Sequence, residues 1–279
     1  MPGTLYLIGT PIGNLGDLSP RAVETLTAVD FIAAEDTRVT VKLLNHLGIK
    51  KPMVSYFSHN RRKRGEEILS RLLAGESCAL VTDAGMPAIS DPGEELVALC
   101  ATHNVGTICI PGPTAFVAAL ALSGLPTGRF TFEGFLSTSL KSRRAHLQSL
   151  RDEQRTIIFY EAPHKLPQTL ADMLAAWGDR RVALCRELTK KFEETIRCTL
   201  SEALARYAAT PPRGEFVLII EGASTPPTEP DTQVLEQALV KLGALTASGV
   251  SLKDASRQVA EDTGVAKNLL YAEGLKQSR

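Results

Sequence analysis

Short apolar runs alternate with amphipathic stretches along the first 117 residues. The apolar runs have the length of buried strands and lie at residues 5–8, 31–34, 79–81 and 107–110. Between them apolar residues recur at helical spacing, most clearly at Val39, Leu43, Leu44 and Leu47, and Gly48 then provides a stop signal. This order predicts alternating strands and helices.

Parallel neighbouring strands need helical crossovers, so the alternation predicts a largely parallel sheet covered on both faces. Ligands bind beyond the carboxyl ends of the strands in such sheets. Four loops follow the predicted strands there, at residues 9–14, 35–38, 82–93 and 111–115. The loop 82–93 contains two glycines and two prolines, which fix the backbone where a helix or strand could have continued.

The second half of the chain also contains predicted strands and helices, but in a different order. Strands are predicted at residues 130–135, 156–160, 182–185, 195–198 and 215–220. Two of them, near 182–198, follow each other without a helix, which predicts a mixed sheet. The helix after Pro163 places a core-facing apolar stripe at Leu166, Leu170, Met173, Leu174 and Trp177.

The end of the chain changes character at residues 223–231, where Pro226, Pro227 and Pro230 indicate an exposed, semi-rigid linker. A small helical module is predicted at 232–279, with a helix-turn-helix pattern around Gly264. We therefore expect an α/β protein with two α/β domains, residues 1–117 and 118–222, followed by this linker and the all-α module.

The composition is that of an ordinary globular chain, with 44% apolar and 22% charged residues among 279. Basic and acidic residues number 31 each, so contact with a nucleic acid must be local. Five cysteines without CxxC spacing predict reduced thiols and no metal site. A basic leader and an apolar run of about 18 residues are both lacking, and we expect a cytoplasmic protein without membrane contact.

The loops carry the candidate chemistry. For the first, a small-molecule cleft of another kind is favoured over a purely structural turn, and both are favoured over a dinucleotide-binding turn, because Pro11 occupies the third position of the motif. Backbone groups of the loop 82–93 can bind a polar ligand, and Asp83 and Asp91 can accept from an amino group; a purely structural loop fits equally well. The helix start near Thr114 suits a carboxylate, although an ordinary capped helix explains it too. Convergence of three such loops on one sheet edge favours a bound metabolite.

Several motifs occur in order between Gly3 and about Gly222, and the chain thereby resembles the tetrapyrrole-methylase superfamily, specifically its RNA-methylating branch. The motifs are LIGTPIGNL, EDTR, TDAGMPAISDPG, PGPTA, FYEAPHK, RELTK and GEFV. The chain departs from the wider superfamily in its first turn, GTPIG instead of GxGPG, and in having DAG in place of GDP.

The resemblance implies that S-adenosyl-L-methionine lies folded in a cleft between the two α/β domains. By motif position it implies a cofactor site made of Ile12, Gly13, Asp83, Gly85, Met86, Thr114, Ala115, Ala162, Glu215 and Phe216. It further implies methylation of a cytidine ribose 2′-hydroxyl in the decoding region of 16S ribosomal RNA, with the small ribosomal subunit as partner, and a homodimer.

Methyl transfer from a sulfonium to an oxygen is an in-line displacement that depends chiefly on alignment, so a general base is helpful but not essential. The catalytic candidates are Asp36, Arg38, Glu187 and Lys190, with Glu161, His164 and Arg186 as further possibilities. Structural ion pairs at strand ends explain these residues equally well.

RNA binding requires local cations, and the densest runs are 61–64 and the set Lys141, Arg143, Arg144, Arg151 and Arg155. Either run could be a solvated helix face. Two other functions remain open: methylation of a porphyrin-like ring, and a metabolite-sensing DNA-binding regulator. Residues 231–279 contain six basic and six acidic residues, which disfavours the regulator.

Overall fold

The computed structural model describes residues 1–224 and 232–277. The chain divides into two compact units, Met1–Ala223 and Ser224–Arg279. Of the predicted linker 223–231, all but the first two residues lie outside the described part of the chain.

The first sheet of the large unit has five strands in the order β3-β2-β4-β1-β5, and every pairing is parallel. Its strands are β1 (Thr4–Ile8), β2 (Phe31–Ala34), β3 (Met53–Ser55), β4 (Cys78–Val81) and β5 (Gly106–Ile110). The accompanying helices are a 3-10 turn (Leu15–Asp17), α1 (Pro20–Ala28), α2 (Thr37–His46), α3 (Arg61–Leu73) and α4 (Glu94–Thr102). The prediction of a parallel, helix-covered sheet is confirmed.

Two separate cores cover the faces of this sheet. On β4, Cys78 and Leu80 belong to the core that includes side chains of α3 and α4, whereas Ala79 and Val81 belong to the core that includes side chains of α1 and α2. Successive strand residues point to opposite faces, so burial on both sides requires an unbroken apolar run. This is why the strand could be recognised in the sequence.

The short strand β3 escaped sequence analysis. It has three residues, all only half-buried, and forms the edge of the sheet by pairing with β2, Ile32 opposite Met53. Three residues are too few to show a period. Its strand conformation therefore depends on pairing with a neighbour distant in sequence.

The second sheet is mixed, as predicted, with the order β6-β7-β10-β8-β9. Only β6 and β7 pair in parallel. Its strands are β6 (Phe130–Phe135), β7 (Thr156–Glu161), β8 (Arg181–Arg186), β9 (Glu194–Thr199) and β10 (Phe216–Ile220), and its helices are α5 (Ala115–Ser123), α6 (Leu140–Ser149), α7 (Leu166–Trp177) and α8 (Leu200–Ala209).

Helix α5 leads from the first sheet to the second. Its buried residues Ala119 and Leu120 share a core with Ile158 and Val217 of the second sheet. The opposite face is covered by α7, whose Leu170 is fully buried as its apolar stripe predicted. The predicted domain boundary between residues 117 and 118 thus lies within α5.

The small unit consists of α9 (Thr232–Ala247), α10 (Leu252–Thr263) and α11 (Lys267–Gln277), in agreement with the predicted helical module. Its core contains Leu242, Val259 and Leu270. Helix α10 is capped after Thr263 by Gly264, whose φ of 74° is a left-handed conformation that costs glycine little. Within residues 1–224 and 232–277, none of the helices combines the length and the apolar character needed to cross a bilayer.

One predicted RNA-binding residue serves the fold instead. Arg143 of α6 donates from Nε to Oδ2 of Asp172 on α7 at 2.7 Å, and the two side chains are only 11% and 5% exposed. We predict that Asp172→Ala lowers the free energy of unfolding by about 3–5 kcal/mol, because it leaves a buried guanidinium without its counter-ion.

Urea denaturation measures this loss. Lys141→Ala, an exposed change on the same helix, is the control and should alter the free energy of unfolding by no more than about 0.5 kcal/mol. Equal stability of the Asp172→Ala and Lys141→Ala proteins would show that the ion pair contributes nothing.

Candidate active site

One cavity of about 500 Å³ lies in the large unit, a volume typical of small-molecule sites. Its wall from the first half of the chain comprises Ile12, Glu35, Asp83, Ala84, Gly85, Met86, Ile89, Ser90, Asp91, Thr114 and Ala115. Its wall from the second half comprises Phe135, Tyr160, Glu161, Ala162, Pro163, Cys185, Glu187, Leu188, Lys190, Glu215, Phe216 and Val217. The cavity therefore takes residues from loops associated with both sheets.

Parallel pairing places the loops after β1, β2, β4 and β5 at one edge of the first sheet. Two of these loops are joined by a backbone bridge, in which Thr10 N–H donates to Gly85 O at 2.9 Å and Gly85 N–H to Thr10 O at 3.1 Å. The first and last loops touch through glycines, since a Cβ on Gly9 would lie 2.6 Å from Gly112 Cα. Side chains at these two positions would force the loops apart.

The loop 82–93 follows an unusual backbone path. Ala88 and Ser90 both have a φ of 67°, a left-handed conformation that costs a non-glycine residue about 1–3 kcal/mol. Ala88 N–H donates to Pro92 O at 3.3 Å, and Gly93 has no room for a Cβ beside Ala88. These constraints present Ile89, Ser90 and Asp91 to the cavity.

The first turn of α5 also borders the cavity. The structure shows no side-chain cap from Thr114, whose hydroxyl instead donates to Gly112 O at 3.4 Å. Phe116 N–H donates to the hydroxyl of Tyr160 on β7 at 3.3 Å. Tyr160 thus satisfies one backbone N–H group in the first turn of α5. The sequence had suggested that such a group could bind the carboxylate of a ligand.

A charged cluster occupies the second wall. Lys190 Nζ donates to Glu187 Oε1 at 3.1 Å and to Glu215 Oε2 at 3.4 Å. Burial raises the pKa of Glu187, but hydrogen bonds from Lys190 and from Glu215 N–H outweigh it and leave this pKa lowered. Glu187 is itself left-handed, with a φ of 51°.

Gly13 does not line the cavity but abuts this cluster. A Cβ on Gly13 would lie 2.4 Å from Lys190 Cγ and 3.0 Å from both the Leu188 carbonyl oxygen and Thr189 Oγ1. The first loop therefore approaches the second wall at a distance that only glycine permits.

Carboxylates dominate the first wall. Burial, followed by the charges of Glu35 and Asp83, raises the pKa of Asp91 to about 7. Burial also raises the pKa values of Glu35 and Asp83. Among the described residues, no three His, Cys, Asp or Glu side chains are grouped so as to hold a metal ion. Since deprotonated carboxylates attract cations, this wall suits a ligand bearing an amine or sulfonium.

Asp36 and Arg38, two of the catalytic candidates, lie outside the cavity lining. Asp36 caps α2 by accepting from Arg38 N–H at 2.8 Å, and its carboxylate also holds the Arg38 guanidinium at 2.6 Å. These hydrogen bonds lower the pKa of Asp36 to about 2. A carboxylate of such low basicity is a poor proton acceptor at neutral pH.

The further candidates are also occupied or remote. Glu161 accepts from Thr169 Oγ1 at 2.5 Å and from Ala162 N–H at 2.8 Å. Arg186 forms an ion pair with Glu194 at 2.6 Å, and His164 is exposed outside the cavity lining.

Five of the nine cations in the two basic runs form ion pairs within the chain, Arg143 and Arg144 both with Asp172. Arg61 pairs with Glu95, Arg64 with Glu67, and Arg155 with Glu153. Arg62, Lys63, Lys141 and Arg151 are exposed and form no ion pair with any residue that the structure describes. These four cations remain available for a phosphate.

Several cavity residues were not predicted from the sequence. Phe135 is 59% exposed at the cavity because a bulge in β6 at Glu133 and a left-handed Gly134 redirect the strand end. Its ring lies 5.4 Å from that of Tyr160. The only sequence signal was Gly134 within a predicted strand, which is typical of a bulge.

Comparisons with known proteins agree with this architecture. The sequence profile of the family described as Tetrapyrrole (Corrin/Porphyrin) Methylases matches residues 4–204. Ribosomal RNA small subunit methyltransferase I of Synechocystis sp. is 53% identical, and the alignment covers 96% of both chains. The protein of the same name from Halalkalibacterium halodurans is 48% identical over 96% of this chain and 93% of its own.

A solved structure of uroporphyrin-III C-methyl transferase from Thermus thermophilus, complexed with S-adenyl homocysteine, shares the fold at a TM-score of 0.56 and 18% identity. The superposition covers 78% of this chain and 97% of that one. The family profile covers the first sheet and strands β6 to β9 of the second, and the curated relatives extend through the small helical unit. The chain is a methyltransferase of the tetrapyrrole methylase family and belongs, within it, to the group of ribosomal RNA small subunit methyltransferases I.

Proposed function

We propose that this methyltransferase uses S-adenosyl-L-methionine to methylate a cytidine ribose 2′-hydroxyl in the decoding region of 16S ribosomal RNA. The observation that carries the proposal is the 53% identity to a ribosomal RNA small subunit methyltransferase over nearly the whole chain. Methylation of a porphyrin-like ring and DNA-binding regulation are not favoured, because the relatives that match the small helical unit as well are RNA methyltransferases by name.

The proposed donor site consists of the ten residues that the family resemblance implied. All but Gly13 line the cavity described above, and Gly13 supports its second wall. The ten residues are Ile12, Gly13, Asp83, Gly85, Met86, Thr114, Ala115, Ala162, Glu215 and Phe216. When bound, S-adenosyl-L-methionine supplies a methyl group on a positively charged sulfur. The carboxylates of the first wall fit this charge, and a structure of the same fold contains S-adenyl homocysteine.

The proposed catalytic residues fall into two groups. Glu187 and Lys190 line the cavity. There the Lys190 ammonium can polarise the substrate hydroxyl, and the Glu187 carboxylate holds this ammonium in place. Asp36 fixes the exposed guanidinium of Arg38 outside the cavity, where it can bind an RNA phosphate. Alignment of the hydroxyl with the methyl group supplies most of the rate acceleration.

The assay that tests this function offers radiolabelled S-adenosyl-L-methionine with small ribosomal subunits, a porphyrin precursor or duplex DNA. We expect label in the RNA of the subunit, at a cytidine ribose located by nuclease digestion. Label in the porphyrin precursor, or none in RNA, would refute the proposal. A parallel assay with naked 16S RNA shows whether the cytoplasmic partner is the assembled subunit.

Substitution of Gly13 tests the donor site. Gly13→Ala should weaken donor binding about tenfold, because relieving the contact with Lys190 costs about 1–3 kcal/mol. Isothermal titration calorimetry measures this affinity. Gly128→Ala is the matched control, since a Cβ there meets no atom within 4 Å. Equal donor affinity of the two variants would contradict the proposed placement.

We further propose a homodimer that covers exposed apolar residues of α5 and of β5. Val117 and Leu122 on α5 and Ile108 on β5 are 52%, 40% and 46% exposed. Strand β5 is also an edge of its sheet, and α5 is apolar on every face, as is usual for a covered helix.

Light scattering should give twice the mass of one chain, and Val117→Glu should yield a folded monomer. A monomeric wild type would refute this assembly.

A further inference from the structure

Six acidic residues line the cavity, and five of them already accept hydrogen bonds. Those five are Glu35 from Asp83 N–H, Asp83 from Asp36 N–H, Glu161 from Thr169, Glu187 from Lys190 and Glu215 from Lys190. The sixth is Asp91. Among the residues that the structure describes, none donates a hydrogen bond to its carboxylate and none forms an ion pair with it.

The backbone holds Asp91 in place although its side chain is free. It follows the left-handed Ser90, and the hydrogen bond from Ala88 N–H to Pro92 O spans it. Left-handed alanine and serine persist only where the surrounding structure enforces them, and they concentrate at functional sites. The loop thus keeps an unpartnered acceptor at the cavity wall at a conformational cost.

The surroundings of Asp91 make its carboxylate unusually basic. The groups that act on it are Glu35 after β2 and Asp83 after β4, and Tyr160 faces it from β7. Burial and the two neighbouring carboxylates raise the pKa of Asp91 to about 7. A proton acceptor with a pKa near the working pH is the most effective general base.

We propose that Asp91 is the general base that takes the proton from the substrate ribose hydroxyl, an inference that rests on the function proposed above. As the hydroxyl oxygen forms its bond to the methyl carbon, the O–H proton passes to a carboxylate oxygen of Asp91. The bond between the methyl carbon and sulfur breaks, and its electron pair stays on sulfur as a neutral thioether. Charge and atoms balance without another reactant.

The other acidic candidates are less suited to this step. Hydrogen bonds from Arg38 lower the pKa of Asp36 to about 2, and Lys190 helps to lower that of Glu187. Both carboxylates also form ion pairs with these cations. Asp91 combines position in the cavity, a free acceptor and high basicity.

The pH dependence has a definite sign. Asp91 must be ionised to accept a proton, so kcat/KM should rise with pH and level off above the pKa of about 7. Removing the charge of Glu35 lowers the pKa of Asp91. The kcat/KM of the Glu35→Gln variant should therefore rise at a lower pH than that of the wild type. A residue with only a structural role would not couple to Glu35 in this way.

The kinetic test compares wild type, Asp91→Asn and Glu35→Gln in single-turnover transfer to small ribosomal subunits at saturating donor. Asp91→Asn should lose about 100- to 10,000-fold in rate and lose the pH dependence, while calorimetry shows donor binding retained. Glu35→Gln is matched because it removes a carboxylate from the same wall, and its expected effect is the displaced pH profile.

A second readout is independent of turnover. In the ligand-free chain, a carbon-13 titration of the aspartate carboxyl groups should find Asp91 titrating near a pKa of about 7, and at lower pH in Glu35→Gln. The resonance is assigned by its absence from Asp91→Asn.

The outcomes separate the two proposals. If wild type transfers no methyl group to RNA, the proposed function fails and the base fails with it. If wild type is active and Asp91→Asn keeps its rate and pH profile, only the base assignment is overturned. The assignment is equally overturned if Asp91→Asn loses donor binding but regains the wild-type rate at saturation, since Asp91 would then be a donor ligand.

Discussion

Parallel pairing within the first sheet is the constraint on which the site depends. Because β1, β2, β4 and β5 run in one direction, the loops that follow them must meet at one edge. The bridge between Thr10 and Gly85 and the contact between Gly9 and Gly112 then fix how closely these loops approach. Three segments far apart in sequence thereby form one continuous wall, which no single loop could provide.

The second sheet completes the cavity and gives it a different chemistry. Its wall carries Lys190 between two carboxylates and aromatic rings at Tyr160 and Phe135, whereas the first wall presents carboxylates with raised pKa values. The hydrogen bond from Phe116 N–H to Tyr160 joins the two walls directly. A cationic donor and a polar acceptor can therefore occupy one cavity.

The site is held together at a conformational cost. Of five left-handed non-glycine residues in the described chain, four lie in the two loops that flank the cavity: Ala88, Ser90, Glu187 and Thr189. Each costs about 1–3 kcal/mol, which the rest of the structure must offset. Burial of apolar strands on both faces of both sheets supplies that stabilisation, so rigid cores support strained loops.

The sequence by itself determined nine of the ten strands, the parallel and mixed character of the two sheets, and the Gly- and Pro-rich loops that reach the cavity. These features are local, because apolar period and turn residues are encoded in consecutive positions. Tertiary structure alone decided the rest. It formed β3 by pairing and buried Arg143 against Asp172. It also left Asp91 free between Glu35 and Asp83. Whether Asp172 gains a partner and Asp91 stays without one depends on residues that only folding brings beside them, and no pattern of neighbouring residues contains that information.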